Sequence, residues 1–246
     1  MKFSKKHVAI TGGAGEIGLV IAKEFAQGGA TVTLLDKVLP PEVAPIVEAM
    51  GARFVKMDVT DRHSVASVIA ALPEVDIAIG NAGVHRGARF LDLSLESWNL
   101  MLDVNLTGVF LFCQGVARRM VTRGEGGTIL VTGSWVQNVP NVDNTGYCTS
   151  KAGVAMLARC MALELGEYGI RVNIVAPGIV NAGMAKRQLQ IDPVFAKKAT
   201  QGIPLGQLQT AEQIAQASAF LASADAASIT GATLLVDGGL SLFKYP

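Results

Sequence analysis

The sequence predicts a single-domain α/β protein built on a doubly wound, parallel, seven-stranded sheet. Three observations predict it. Seven short apolar runs alternate with longer stretches of helical spacing. The runs read as strands covered on both faces, the mark of a parallel sheet between helix layers. The chain of 246 residues carries no linker, repeat or low-complexity tract, which suits one domain.

The strands are read at residues 7–11, 31–35, 53–57, 75–79, 128–132, 171–175 and 233–236. After the first, Ile17, Ile21 and Phe25 share a helical face, and Gly28-Gly29 stops that helix. Right-handed crossovers then give the doubly wound topology that binds dinucleotides. Residues 181–209 form the least apolar late stretch, with Gly183, Pro193, Gly202, Pro204 and Gly206. A long excursion there, between the last two strands, reads as a substrate lid.

Composition excludes several classes. Half the residues are hydrophobic and only 17% are charged, so a core is affordable and disorder is not expected. A net charge of +1 argues against nucleic-acid binding through a basic face. No apolar run approaches the ~20 residues that span a bilayer, so no membrane partner is expected. The basic start, Met1 to Lys6, is followed by an apolar stretch too short for a signal peptide. Cys113, Cys148 and Cys160 are scattered and odd in number, which fits reduced thiols in the cytoplasm. His7, His63 and His85 have no metal-ligand spacing, so no metal is expected; His85 could edge a pocket.

The first strand runs into Thr11-Gly12-Gly13-Ala14-Gly15-Glu16-Ile17-Gly18 and then a helix. Glycines in that context let backbone amides approach a pyrophosphate at a helix N-terminus. Asp36 ends the second strand, 18 residues after Gly18. A carboxylate there binds both hydroxyls of an adenosine ribose and repels a 2′-phosphate, which favours NAD over NADP. Lys37 beside it could soften that discrimination.

Tyr147 and Lys151 are four apart and project from one helical face. Ser134 lies 13 residues before Tyr147, just past a strand, and Asn105 stands in Asp-Val-Asn-Leu-Thr-Gly. With the glycine turn, Asp36 and Asn81-Ala82-Gly83, this order resembles the classical short-chain dehydrogenase/reductase family over essentially the whole chain. The resemblance implies a Rossmann-like fold and a catalytic set of Asn105, Ser134, Tyr147 and Lys151. It implies cofactor contacts from Gly12, Gly15, Glu16, Ile17, Gly18, Asp36, Asp58, Val59, Asn81, Ala82 and Gly83. Tyr147, Lys151, Pro177, Gly178 and Val180 complete that set. Two departures stand out. The family's middle glycine is Glu16, and its Thr after Pro-Gly is Ala182. A carboxylate ~4 Å from a phosphate costs about 4 kcal/mol at an effective dielectric of 20. Glu16 is therefore expected to point to solvent, or to weaken cofactor binding.

In alcohol oxidation a tyrosine must act as base, and a free phenol titrates near ~10. Lys151 is expected to supply much of the ~4 kcal/mol needed to reach ~7. Ser134 would hold the substrate oxygen. The family implies that Asn105 holds a water linking Lys151 to solvent. Trp135, Gln137 and Asn144, with Ser134 and Tyr147, are expected to line the substrate mouth, which suits a hydroxylated small molecule. Pro140, Ile203 to Gly206 and the tail after Asp237 look like the glucose 1-dehydrogenase branch. The expected activity is NAD-dependent interconversion of a secondary alcohol with a ketone or lactone, on a sugar, polyol or cyclic alcohol. A 3-oxoacyl-thioester reductase, for which Arg86 and Arg89 would greet an acidic carrier, and a non-catalytic NAD-binding regulator remain as alternatives. The family also implies a homotetramer, through helices at about 95–119 and 149–167 and a C-terminal tail with Phe243, Tyr245 and Pro246.

Overall fold

In the computed structural model, which describes residues 1–191 and 199–242, seven parallel strands form one sheet in the order β3-β2-β1-β4-β5-β6-β7. The strands are β1 His7–Thr11, β2 Thr31–Asp36, β3 Arg53–Lys56, β4 Ile77–Gly80, β5 Gly127–Thr132, β6 Ile170–Pro177 and β7 Thr233–Val236. The order reverses between β1 and β4, where Val8 pairs with Ile77 and Ile10 with Ile79. Ligands of open parallel sheets bind beyond the strand C-termini at such a switch point.

Helices cover both faces. They are α1 Glu16–Gln27, α2 Ala44–Ala49, α3 Arg62–Ala71, α4 Leu95–Leu102, α5 Gly108–Arg123, α6 Thr145–Leu165, α7 Gly183–Ile191 and α8 Ala211–Ala222. Successive strand residues feed opposite cores. Ala9, Ala78, Ile129 and Val172 pack with α3, α5 and α6. Val8, Ile10, Leu34 and Leu130 pack with α1 and α8. That two-sided burial is why the strands are apolar throughout instead of alternating.

Three differences from the sequence reading bear on the site. The expected helix at about 95–119 runs to Arg123 and is interrupted by a π-helical turn, Asp103–Thr107. There Gly108 N–H reaches back five residues to the Asp103 carbonyl, which a 3.6-residue period does not reveal. The helix expected from 149 starts at Thr145, so Tyr147 lies inside its first turn. Leu95–Arg123, taken as 29 residues, is long and apolar enough to cross a membrane by length and composition, contrary to the sequence reading. Its apolar side chains include Val109, Phe112, Cys113, Val116 and Met120, all buried against the sheet. Part of the expected lid, 192–198, and the apolar tail residues Phe243, Tyr245 and Pro246 lie outside the described residues.

Candidate active site

The turn between β1 and α1 closes on itself because its glycines have no Cβ. Gly12 has φ +62°, and a Cβ there would stand 2.8 Å from Ala82 Cα. A Cβ on Gly18 would stand 2.2 Å from the Gly12 carbonyl. On Gly15, the N-cap of α1, a Cβ would meet only the Gly12 carbonyl at 3.4 Å, so this side of the turn is open. An open turn at a helix N-terminus fits a phosphate-bearing cofactor. Asn81 fastens the floor: its Nδ2 donates to the carbonyls of Thr11 and Gly12, both at 3.2 Å. Thr11 Oγ1 accepts the N–H groups of Asn81 and Ala82, and Thr132 Oγ1 donates to Asn81 Oδ1. Thr11 opens the glycine motif read from sequence, whereas Thr132, which ends β5, was not singled out.

Asp36 accepts from the Ala14 N–H (3.1 Å) and the Lys37 N–H (2.8 Å), which holds its carboxylate at the end of β2 beside the turn. Lys37 does not flank that carboxylate as a free cation; its Nζ pairs with Asp58 at 2.8 Å. Burial pushes the Asp58 carboxyl up, but hydrogen bonds from Lys37 and Thr60 outweigh it and hold it below the usual carboxylate range. Val59 packs beside Gly108, where a Cβ would stand 2.9 Å from its side chain. Asp58 and Val59 thus organise the loop after β3, and neither lines the cavity described next.

A cavity of about 720 Å³ opens at the strand C-termini. Asn81, Gly83, Pro177, Gly178, Val180 and Ala182 line one part, and Ser134, Trp135, Tyr147 and Lys151 another. The excursion after β6 begins and ends at one clamp: Asn181 N–H donates to the Gln209 carbonyl (2.8 Å) and Gln209 N–H to the Ile179 carbonyl (3.1 Å). Glu16 is neither free in solvent nor turned on the glycine turn. Its carboxylate accepts the Gly183 N–H at 2.8 Å and lies 3.8 Å from Lys186 Nζ, both on α7. The residue at the position of the family glycine ties the turn to the start of α7, in the segment expected to be a lid.

Ser134 and Tyr147 both line the cavity, and Lys151, buried from the same helix face, donates to the Thr132 carbonyl at 2.7 Å. Lys151 Nζ is 5.8 Å from the Tyr147 ring centroid. Burial pushes the Tyr147 phenol up to about 12, against the opposing pull of the nearby Ser134 hydroxyl, and pushes Lys151 down to about 8. The expected fall of Tyr147 towards ~7 is therefore not what these side chains produce. A unit charge ~6 Å away is worth about 3 kcal/mol at an effective dielectric of 20, or about two pH units. Desolvation wins over Lys151, and the phenol keeps its proton at neutral pH.

Two expected contacts turn inward. Gln137 is buried; its Oε1 accepts the Ser134 N–H and its Nε2 donates to Thr233 Oγ1, both at 3.3 Å, so it caps the turn after β5 and faces no substrate. Asn105 is fully buried in the π turn. Its Oδ1 accepts the Val84 N–H (2.7 Å), and its Nδ2 donates to the Val84 carbonyl (2.9 Å) and Ser150 Oγ (3.0 Å). Both amide hydrogens are committed, so this side chain has none for the expected water. Ser150, next to Lys151, was missed from sequence.

His85 stands edge-on to Tyr147, with ring centroids 5.2 Å apart and planes at 86°. Its Nε2 meets Asn144 Oδ1 at 2.5 Å, and Asn144 Nδ2 donates to the Val142 carbonyl at 2.7 Å. Asn144 lines the cavity, but both ends of its amide are engaged.

A family model described as enoyl-(acyl carrier protein) reductase matches residues 12–241. The chain is 33% identical over 249 residues to 2,5-dichloro-2,5-cyclohexadiene-1,4-diol dehydrogenase LinX of Sphingobium indicum, covering 98% of both. It is 35% identical over 251 residues to glucose 1-dehydrogenase of Gluconobacter oxydans, covering 98% of this chain and 94% of that one. Among solved structures, a short-chain type dehydrogenase/reductase from Mycobacterium marinum superposes with TM-score 0.92 at 33% identity, covering 98% of both chains. A putative 2-deoxy-D-gluconate 3-dehydrogenase from Agrobacterium tumefaciens with bound NADP superposes with TM-score 0.90 at 30% identity, covering 97% of this chain and 98% of that one.

Proposed function

From the premise that this chain belongs to the short-chain dehydrogenase/reductase family and is an oxidoreductase of CH–OH groups, we propose that it is an NAD-dependent dehydrogenase of a sugar, polyol or related cyclic secondary alcohol. The observation that carries this reading is Ser134 and Tyr147 set together in a cavity lined, among the described residues, by no cation but Lys151. Arg89 pairs with Asp143 at 3.0 Å, and Arg86 donates to the His85 carbonyl. Lys151 donates to the Thr132 carbonyl deep in the cleft. A thioester on an acidic carrier would want free cations at the entrance. The description of the matching family model names such a carrier, but the ion pair of Arg89 with Asp143 and a cavity lining of amides and hydroxyls favour neutral hydroxylated substrates. A regulator without turnover would have no use for a hydroxyl pair desolvated at this cost. Asp36, with Lys37 drawn away to Asp58, supports NAD, although two solved relatives carry NADP.

The glycine turn at the α1 N-terminus and the cavity wall of Asn81, Gly83 and Pro177 to Val180 would hold a nicotinamide dinucleotide, which would supply the hydride chemistry and, when oxidised, a positive charge favouring the phenolate. Ser134 Oγ hydrogen-bonds the substrate oxygen and fixes it against Tyr147. In reduction Tyr147 Oη donates its proton to the developing alkoxide, for which a phenol held protonated at neutral pH is suited. In oxidation Tyr147 Oη receives the carbinol proton once the phenol has been ionised. Lys151, charged below about 8, is the cation this chain supplies towards that state.

The test is a panel of sugars, polyols and cyclic alcohols with NAD and NADP in parallel, followed by reduced-nicotinamide absorbance. Turnover with NAD on hydroxylated rings is expected. Tyr147→Phe should lower kcat by about two to four orders of magnitude while sparing cofactor affinity. Tight NAD binding without turnover on any alcohol or ketone refutes the enzyme reading. We also propose the homotetramer that the family suggests. Phe110, Met156 and Leu163 leave α5 and α6 exposed and apolar, and Phe220, Leu235 and Leu242 do the same at the β7 edge. A monomer in light scattering refutes it.

A further inference from the structure

We infer that His85 is a specificity-determining residue: its Nδ1 accepts a hydrogen bond from a second substrate hydroxyl, on a carbon adjacent to the one that reacts. The inference rests on the alcohol-dehydrogenase reading and narrows it to vicinal diols in a ring or polyol.

The argument starts from a backbone carbonyl. The Val142 carbonyl can only accept, so the amide group of Asn144 facing it at 2.7 Å is the NH2. That fixes Asn144 Oδ1 towards His85 Nε2, at 2.5 Å. Oδ1 can only accept, so Nε2 carries the hydrogen. A neutral imidazole protonated at Nε2 has a bare lone pair at Nδ1, and Nδ1 has no hydrogen-bond partner among the described residues.

The imidazole is also held in place. On its N-terminal side, both backbone groups of Val84 are bonded by the Asn105 amide. On its C-terminal side, Ala88 N–H donates to the Asp143 carbonyl (2.9 Å), Ala88 bridges Asn144, and Arg89 pairs with Asp143. The loop after Gly83 is thus sewn to the segment before α6, with His85 in the seam. The ring lines the same cavity as Ser134 and Trp135 and stands edge-on to the phenol at 5.2 Å. A substrate whose reacting oxygen lies on Ser134 and Tyr147 brings its neighbouring carbon past this ring. An acceptor there selects a hydroxyl over a hydrogen, an ether or a carbonyl.

The test compares the full-length protein and His85→Phe, with NAD, on cyclohexanol and 1,2-cyclohexanediol. Phenylalanine keeps an aromatic edge against Tyr147 and removes the acceptor. The ratio of kcat/KM for the diol to that for cyclohexanol should fall about tenfold, the upper range for one neutral hydrogen bond. An unchanged ratio overturns the assignment of His85 and leaves the dehydrogenase reading standing. A wild-type protein that oxidises neither alcohol, nor any other on the panel, overturns both. Should His85→Phe fail to fold, ¹⁵N NMR of histidine-labelled wild type at about pH 8 decides. A proton on Nε2 supports the inference, and one on Nδ1 overturns it.

Discussion

Lys151→Met should change how stability depends on pH, by an amount the structure fixes. Burial lowers Lys151 from 10.5 to about 8 in the folded chain. Between those values the unfolded chain binds the proton and the folded chain releases it, so stability rises with pH across the window. At about 1.4 kcal/mol per pH unit, the buried ammonium costs about 3 kcal/mol near neutrality. From about pH 7.5 to about pH 9.5, roughly 2 kcal/mol of that cost disappears. Methionine keeps the aliphatic stem and never ionises. Its loss of the bond to the Thr132 carbonyl costs about 1–3 kcal/mol at every pH. The variant's stability relative to wild type should therefore fall by about 2 kcal/mol over the window. Cys113, which burial raises to about 12, loses its contribution above its ordinary 9.0, but identically in both proteins. Tyr147, raised from 10.0 to about 12, starts to lose its contribution only beyond the window. Urea unfolding at equal protein concentration, at three pH values across the window, measures the difference. A difference constant to within about 0.5 kcal/mol would show that Lys151 is not a desolvated cation, and the account of the proton-transfer cleft would fail with it.

Asp36→Ala should raise kcat/KM with NADP relative to NAD at least about tenfold, because the ribose carboxylate is gone and Lys37 stays on Asp58; an unchanged ratio refutes the selectivity argument. Glu16→Gly removes the Gly183 hydrogen bond and the Lys186 pair. Trypsin cleavage at Lys186 and Arg187 should then quicken up to about tenfold, from about 1 kcal/mol of lost tethering; identical cleavage rates would show that the contact restrains nothing. Gln137→Ala should cost about 1–3 kcal/mol in unfolding, because Ser134 N–H and Thr233 Oγ1 lose their partner. The order of preferred substrates should stay as in wild type, and a changed order would return Gln137 to the substrate wall.

The sheet was legible because its chemistry is local. A strand buried on both faces has to be apolar at consecutive positions, and β1, with Val8, Ala9 and Ile10 all at zero exposure, shows why. The glycine turn was legible for the same kind of reason: Gly18 has no room for a Cβ against the Gly12 carbonyl, whatever the rest of the chain does. The π turn was not legible. It differs from an α-helix by one displaced hydrogen bond, from Gly108 to Asp103, and leaves the apolar stripe of α4 and α5 almost intact. The destination of Glu16 was hidden too, since its partner Gly183 lies 167 residues away and donates a backbone N–H that any residue would offer.

The polar residues around the cavity show where motif reading ends and hydrogen-bond accounting begins. Asn105, Gln137 and Asn144 are all amides near the catalytic set, and the sequence treats them alike as groups available to water or substrate. An amide becomes available only when the backbone around it is already satisfied, because a buried N–H or C=O left without a partner costs about 1–3 kcal/mol. Val84 and Ser134 each present such a group and each takes an amide, and the exposed Val142 carbonyl takes a third. The side chains that remain free to read a ligand are the ones this accounting leaves over. Among the described residues that line the cavity, one unpaired position it leaves is Nδ1 of His85, a residue whose type and spacing match no catalytic motif. Its value as an acceptor is set from beyond the Asn144 amide, by a carbonyl on Val142 that can do nothing but accept.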